Sequence, residues 1–61
     1  MTVQVRDNNT KAIIKTVRVN DMTTMYVKYV DEFRRKYNNA TVEVFYGNPN
    51  GKATTTYKTF H

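Results

Sequence analysis

The sequence contains no cysteine, serine, leucine or tryptophan, and its single histidine is His61. Without thiols, neither a disulfide nor a thiolate-ligated metal can form. Without a serine or cysteine beside a histidine, the usual nucleophile and base arrangements are missing. The five acidic residues are scattered and the two glycines fall in one turn-like segment, which leaves no paired carboxylates, no metal-ligand cluster and no phosphate-binding loop. We therefore expect a protein that is not an enzyme, with no cofactor, no metal and no small-molecule substrate.

Long apolar runs are absent as well. No stretch approaches the ~20 apolar residues that span a bilayer, and residues 1–7 lack the basic and apolar regions of an export signal. We expect a cytoplasmic protein without membrane association. The 61 residues make one domain, residues 1–61. So short a chain buries only ~60% of its unfolded surface, and without a disulfide or a thiolate site its stability depends on packing alone or on self-association.

Three tetrads of the form Thr-Val-x-Val, at residues 2–5, 16–19 and 41–44, alternate apolar and polar side chains. This period of two is typical of half-buried strands. Ten threonines and eight valines favour strands generally, because β-branched side chains fit a pleated surface. One set of valines is expected to face the core together: Val3, Val5, Val17, Val19, Val42 and Val44.

Two segments rich in turn-forming residues divide these strands into hairpins. Residues 7–11 read Asp-Asn-Asn-Thr-Lys and residues 47–51 read Gly-Asn-Pro-Asn-Gly. Asn, Asp and Gly supply the left-handed backbone and local hydrogen bonds that turns need. The pattern therefore predicts strand two at residues 12–19, strand three at 41–46 and strand four at 52–60.

The register of strands two and four is less clear than that of the others. In strand two, Lys15 shares the parity of Ile13 and Val17. Either Lys15 extends to solvent at the sheet edge, or a bulge near Ile14 shifts the register. In strand four we favour the inward set that buries no charge. That set is Ala53, Thr55 and Tyr57, which leaves Thr54, Thr56, Lys58 and Phe60 outward.

Residues 22–37 carry the pattern of an amphipathic helix. Apolar and aromatic side chains recur at i, i+3, i+4, i+7, i+8, i+11 and i+15, which places them on one helical stripe. The stripe consists of Met22, Met25, Tyr26, Tyr29, Val30, Phe33 and Tyr37. Asn20 or Asp21 is a suitable N-cap, and Asn38 or Asn39 is suited to the left-handed conformation that ends a helix.

The predicted fold class is therefore α+β, with element order ββαββ: a four-stranded sheet of two hairpins and one helix packed across one face. Two topologies suit this order. In one, which is β-grasp-like, the terminal strands pair in parallel at the centre. In the other the sheet is fully antiparallel. In order and length the chain resembles the immunoglobulin-binding domains of streptococcal protein G, but no binding motif is shared, so the resemblance implies no function.

A net charge of +5 attracts polyanions such as nucleic acid, acidic proteins and anionic membrane surfaces, but a mildly basic charge also serves solubility in many small proteins. Arg34 and Arg35 are adjacent at the predicted helix end, and basic side chains there release counterions from nucleic-acid phosphates. The same residues also suit a solvated helix face, because they complement the helix dipole and form the i, i+4 pairs Asp31–Arg35 and Glu32–Lys36. The predicted nucleic-acid-binding residues are Arg34, Arg35, Lys36, Lys28, Arg18 and Lys58.

Two phenylalanines form a second candidate surface. If Val44 and Tyr57 point inward, Phe45 and Phe60 point outward, where either ring can stack a base or contact a partner protein. A register shift would instead bury both rings. Two hypotheses follow for function. The first is a small nucleic-acid-binding protein that binds DNA or RNA, and the alternative is a protein-interaction module or small phage-type regulator or inhibitor that binds another protein or a second copy of itself.

Overall fold

The computed structural model describes residues 1–19 and 25–61. Two strands, β1 (Thr2–Asp7) and β2 (Ile13–Arg18), precede the helix α1 (Met25–Lys36), and β3 (Ala40–Phe45) and β4 (Thr55–Lys58) follow it. The four strands form one sheet in the order β2-β1-β3-β4, with α1 packed across one face. The predicted α+β class and the ββαββ order are confirmed.

The sheet is fully antiparallel. β1 pairs with β2 on one side and with β3 on the other, and β4 pairs only with β3. The β-grasp alternative is wrong for this chain, because β1 and β4 are not neighbours. Since β2 and β3 both run against β1, they are parallel to each other, and α1 provides the crossover that parallel strands require.

The core is a layer of valines between the sheet and α1. Val3 lies opposite Val44, and Val5 lies opposite Val42, with almost no exposed surface. The helix adds Val30 and Phe33 to this layer, because both are buried. The remaining two valines of the predicted set, Val17 and Val19, are partly buried and pack against the cluster. The predicted valine face is confirmed.

The described part of the helix is Met25–Lys36, which lies within the predicted residues 22–37. It begins at Met25, whose side chain is 51% exposed, so the expectation that Met25 belongs to the buried stripe is wrong. Met22 and the two N-cap candidates, Asn20 and Asp21, lie outside the described residues. At the other end Asn39 has a φ of 48°, which confirms the predicted left-handed residue after the helix.

Both explanations offered for strand two hold together. Lys15 lies opposite Val5 on the core side of the sheet, yet it is exposed because β2 is an edge strand. The next pair along the ladder joins Arg6 to Ile13, so Ile14 is the extra residue of a bulge.

Strand four has the predicted inward parity at Thr55 and Tyr57 but not the predicted length. Thr55 lies opposite Val44 and Tyr57 lies opposite Val42, so both point to the core side. The strand covers four residues only. Consequently Ala53 and Phe60 are outside it, and residues 46–54 form a long connection instead of a tight hairpin turn.

The first hairpin turn is held by Asp7. Its Oδ1 accepts hydrogen bonds from the backbone N–H groups of Thr10 (2.9 Å) and Asn9 (2.7 Å). Lys11 takes the left-handed conformation, with a φ of 65°. Because these N–H groups stabilise the ionised carboxylate, Thr10 foremost, the pKa of Asp7 lies below its ordinary value.

Val42→Ala should lower the free energy of unfolding by about 2 kcal/mol, since it removes buried methyl groups and leaves a cavity. The matched control is Val27→Ala on the outer side of α1, where the side chain is 54% exposed. Urea denaturation should place the control within about 0.5 kcal/mol of wild type. Equal losses in the two variants would contradict the assigned core.

A lowered pKa in the folded state means that Asp7 stabilises the protein above its unfolded-state pKa and that this contribution disappears as pH falls through the folded-state pKa. Asp7→Asn keeps an acceptor oxygen but cannot ionise. Its free energy of unfolding should therefore decline less steeply than that of wild type between about pH 5 and pH 2. Urea titrations at several pH values measure the slopes. Identical slopes would show that Asp7 does not contribute to acid denaturation.

Candidate functional site

The end of α1 is joined to the last residues of the chain. Arg34 Nε donates a hydrogen bond to the Lys58 carbonyl at 2.7 Å, and the Phe60 N–H donates to the Arg34 carbonyl at 3.0 Å. The Asn39 N–H donates to the His61 carbonyl at 2.8 Å. These bonds satisfy a carbonyl in the last turn of the helix and an N–H just after it, and they hold the tail, residues 59–61, against the helix end.

The Arg34 guanidinium lies over two aromatic rings. Its central carbon is 4.1 Å from the centroid of Phe60 and 5.7 Å from that of Tyr57. Arg35 approaches the same Phe60 ring, at 5.5 Å. A planar, weakly hydrated guanidinium suits such stacking better than an ammonium does. Arg34 is accordingly half-buried, although Phe60 remains 50% exposed.

The remaining contacts at the helix end hold its charges only loosely. Arg35 Nε is 3.1 Å from Asp31 Oδ2, which confirms one predicted i, i+4 pair, but both side chains are largely exposed. Such surface pairs contribute little and exchange readily. The predicted Glu32–Lys36 pair is not among the ion pairs between described residues, and Lys36 Nζ lies 5.7 Å from the ring centroid of Tyr37. We call this group the helix-end cluster: Arg34, Arg35, Lys36 and Phe60.

The other predicted basic residues lie elsewhere. Lys28 is exposed two helical turns before Arg35, on the same side of α1. Lys58 has outward parity in β4, so its side chain belongs to the sheet face away from the helix. Arg18 belongs to that outer face too, at its opposite end, and its Nη2 donates to Asn48 Oδ1 at 2.7 Å. The six predicted nucleic-acid-binding residues therefore do not form one surface.

At the centre of the outer face, the charges of Glu43 and Arg6 pair with each other. Glu43 Oε1 accepts from Gln4 Nε2 at 2.8 Å and from Arg6 Nε at 3.3 Å. Arg6 also donates to the Lys11 carbonyl at 2.7 Å. Because its acid and its base satisfy each other, this part of the sheet offers less to a charged partner than the sequence suggests.

Phe45 points outward, as its parity predicts, but the expectation that it is exposed is wrong. Its side chain is 5% exposed. Residues 46–54 turn back across this end of the outer face, since Thr2 Oγ1 donates to the Gly47 carbonyl and Asn48 reaches Arg18 on β2. Thr2 is buried with Phe45 as a result. The sequence did not indicate this return across the outer face, because its turn residues predicted a tight hairpin.

Within residues 1–19 and 25–61, no three His, Asp or Glu side chains group in a way that could hold a metal ion. No helix in the same part of the chain is long and apolar enough to cross a membrane.

Comparisons with known proteins returned no relative: the chain matches no protein-family description, no curated protein and no solved structure.

Proposed function

We propose that this chain is a non-catalytic cytoplasmic protein that binds single-stranded nucleic acid on the helix-end cluster. The observation that carries the proposal is the Arg34 guanidinium stacked 4.1 Å from the centroid of Phe60, a ring that remains 50% exposed. The +5 net charge of the chain supports the same class of partner.

The exposed part of the Phe60 ring offers an aromatic surface for a base. Stacking of a base on an aromatic side chain contributes ~1–3 kcal/mol and does not depend on sequence, because every base has a π face. Arg34 beneath the ring restricts its motion, since the Phe60 N–H is also bonded to the Arg34 carbonyl. A ring held in place loses less conformational freedom on binding.

The basic side chains beside the ring supply the phosphate contacts. Arg35 and Lys36 are exposed at the helix end. Lys28 extends the positive charge along the same side of α1 as Arg35. Arg35 is free to leave the exposed Asp31 for a phosphate, because the surface pair contributes little. Lysine and arginine at such positions release counterions and steer polyanions to the ring.

A single strand suits this arrangement better than a duplex. Bases of a duplex are already stacked on one another, whereas those of a single strand can turn out onto a protein ring. The cluster carries one exposed ring with charges to one side, which fits one or two nucleotides and their phosphates.

The charge test compares Arg35→Gln/Lys36→Gln with Lys15→Gln/Lys52→Gln. The second variant is the control, because it also removes two positive charges but away from the helix-end cluster. Fluorescence anisotropy with a labelled twelve-nucleotide oligo-dT should show weaker binding by the first variant. The slope of log K against log salt is negative, and its magnitude should decrease by about 1.4, which is ~0.7 for each lost phosphate contact on a single strand. The control should keep its slope. Equal slopes, or no binding of wild type at ~50 mM salt, would rule the proposal out.

The stacking test compares Phe60→Leu with Phe60→Tyr in the same assay. Leucine keeps an apolar side chain but lacks the π face, so affinity for oligo-dT should fall by about tenfold. Tyrosine keeps the face and should bind like wild type. Circular dichroism on both variants verifies that the fold is retained. An unchanged affinity of Phe60→Leu would show that the ring does not stack a base.

A further inference from the structure

The sheet has two edges, and they are not equivalent. α1 packs against β4, and the Lys58 carbonyl, which points away from β3, accepts a hydrogen bond from Arg34 Nε at 2.7 Å. β2 lies at the other edge, where all its side chains except the half-buried Val17 are exposed. In the described part of the chain α1 contacts β1, β3 and β4 but not β2. Among residues 1–19 and 25–61, nothing covers the β2 edge as α1 covers β4, so it is the open one.

The backbone groups that β2 offers follow from its register. Met1 and Val19 exchange two hydrogen bonds, N to O at 2.7 and 2.9 Å. Such pairs alternate along an antiparallel ladder with pairs whose backbone groups point away. Thr2 lies opposite Arg18 and Gln4 opposite Thr16, so Thr16 and Arg18 direct their N–H and C=O groups away from β1. These four groups are the template for another strand.

The charge on this edge selects the partner. From Asn8 to Val19 the chain carries three basic residues, Lys11, Lys15 and Arg18, and no acidic one. Two copies of β2 side by side would bring like charges together, which is destabilising. Nucleic acid would meet the charges but has no backbone of alternating donors and acceptors to fill the template. An acidic polypeptide satisfies both requirements.

Apolar contacts are available at the same place. Ile13 and Ile14 are 43% and 44% exposed at the bulge, where the register of β1 and β2 shifts. A strand with apolar residues between its acids would cover them. Added strands gain affinity from main-chain hydrogen bonds and specificity from alternate side chains.

From these observations we propose that β2 binds an extended acidic segment of a partner protein, which adds to the sheet as a fifth, antiparallel strand bonded to the backbone of Thr16 and Arg18. This surface lies at the opposite edge of the sheet from the helix-end cluster, and it is independent of nucleic-acid binding. A chain that holds both partners would connect a single strand to an acidic protein.

The test uses a synthetic twelve-residue peptide in which Glu alternates with Val or Thr, titrated into the ¹⁵N-labelled full chain. The changes in amide chemical shift, measured by NMR, should centre on residues 13–18. Hydrogen exchange of the Thr16 and Arg18 amides should slow by at least about tenfold, because the bound strand protects them. The same peptide with Lys in place of Glu should bind at least about tenfold more weakly, since rim charges fix partner choice.

Thr16→Pro removes one outward N–H without touching the bonds to β1, a position where edge strands tolerate proline. Thr56→Pro is its match on β4, since Thr56 lies opposite Glu43 in the corresponding non-bonded position. Only Thr16→Pro should weaken binding of the acidic peptide, by about tenfold. Exchange protection in wild type tests the same bonds even if a proline variant does not fold.

Several results would overturn the inference. If the acidic peptide at millimolar concentration changes no amide chemical shift, strand addition at β2 is excluded. An equal loss of peptide affinity in the two proline variants excludes it as well. Shifts in residues 13–18 with oligo-dT but not with the peptide assign the edge to nucleic acid. A mass that doubles with concentration in wild type but not in Thr16→Pro assigns it to a second copy. Failure of oligo-dT to bind anywhere would refute the helix-end proposal and leave this one intact.

Discussion

The pairing of β1 with β3 is the constraint on which the other parts of this structure depend. Val3 opposite Val44 and Val5 opposite Val42 bury the most completely enclosed side chains of the core. Because side chains alternate along a strand, the same register directs Glu43 and its partners to the outer face. A slip of one residue would move the valines to water and the charged network into the core.

The position of α1 makes the two sides of the sheet different. The helix lies over β1, β3 and β4, and its last turn meets the tail, so Arg34 serves two purposes at once. Its Nε donates a hydrogen bond to the Lys58 carbonyl at the β4 edge, and its guanidinium plane stacks on the Phe60 ring. β2 receives no such cover from the described part of the helix. In the described part of the chain, closure of one edge and exposure of the other thus have a single origin, the placement of α1 on a four-stranded sheet.

Much of the fold could be predicted from local patterns. Period-two valines indicated the strands and their buried face, and the helical stripe indicated α1 with Tyr29, Val30 and Phe33 inward. The candidate site was harder to predict. Arg34, Arg35, Lys36 and Phe60 were each identified, but their contact was not, because it depends on where residues 59–61 cross the helix end. Phe45 was placed on the correct face, yet its burial depends on a connection that returns over that face.

The sequence by itself determined the element order, the first hairpin turn and the inward set of valines, since these depend on neighbours within a few residues along the chain. It also determined the positive charge and the lack of cysteine and serine nucleophiles. The tertiary structure alone decided the strand order, the open edge at β2 and the stacking of Arg34 on Phe60. Those features join residues far apart in sequence, and a helix after β2 is compatible with more than one way of closing the sheet.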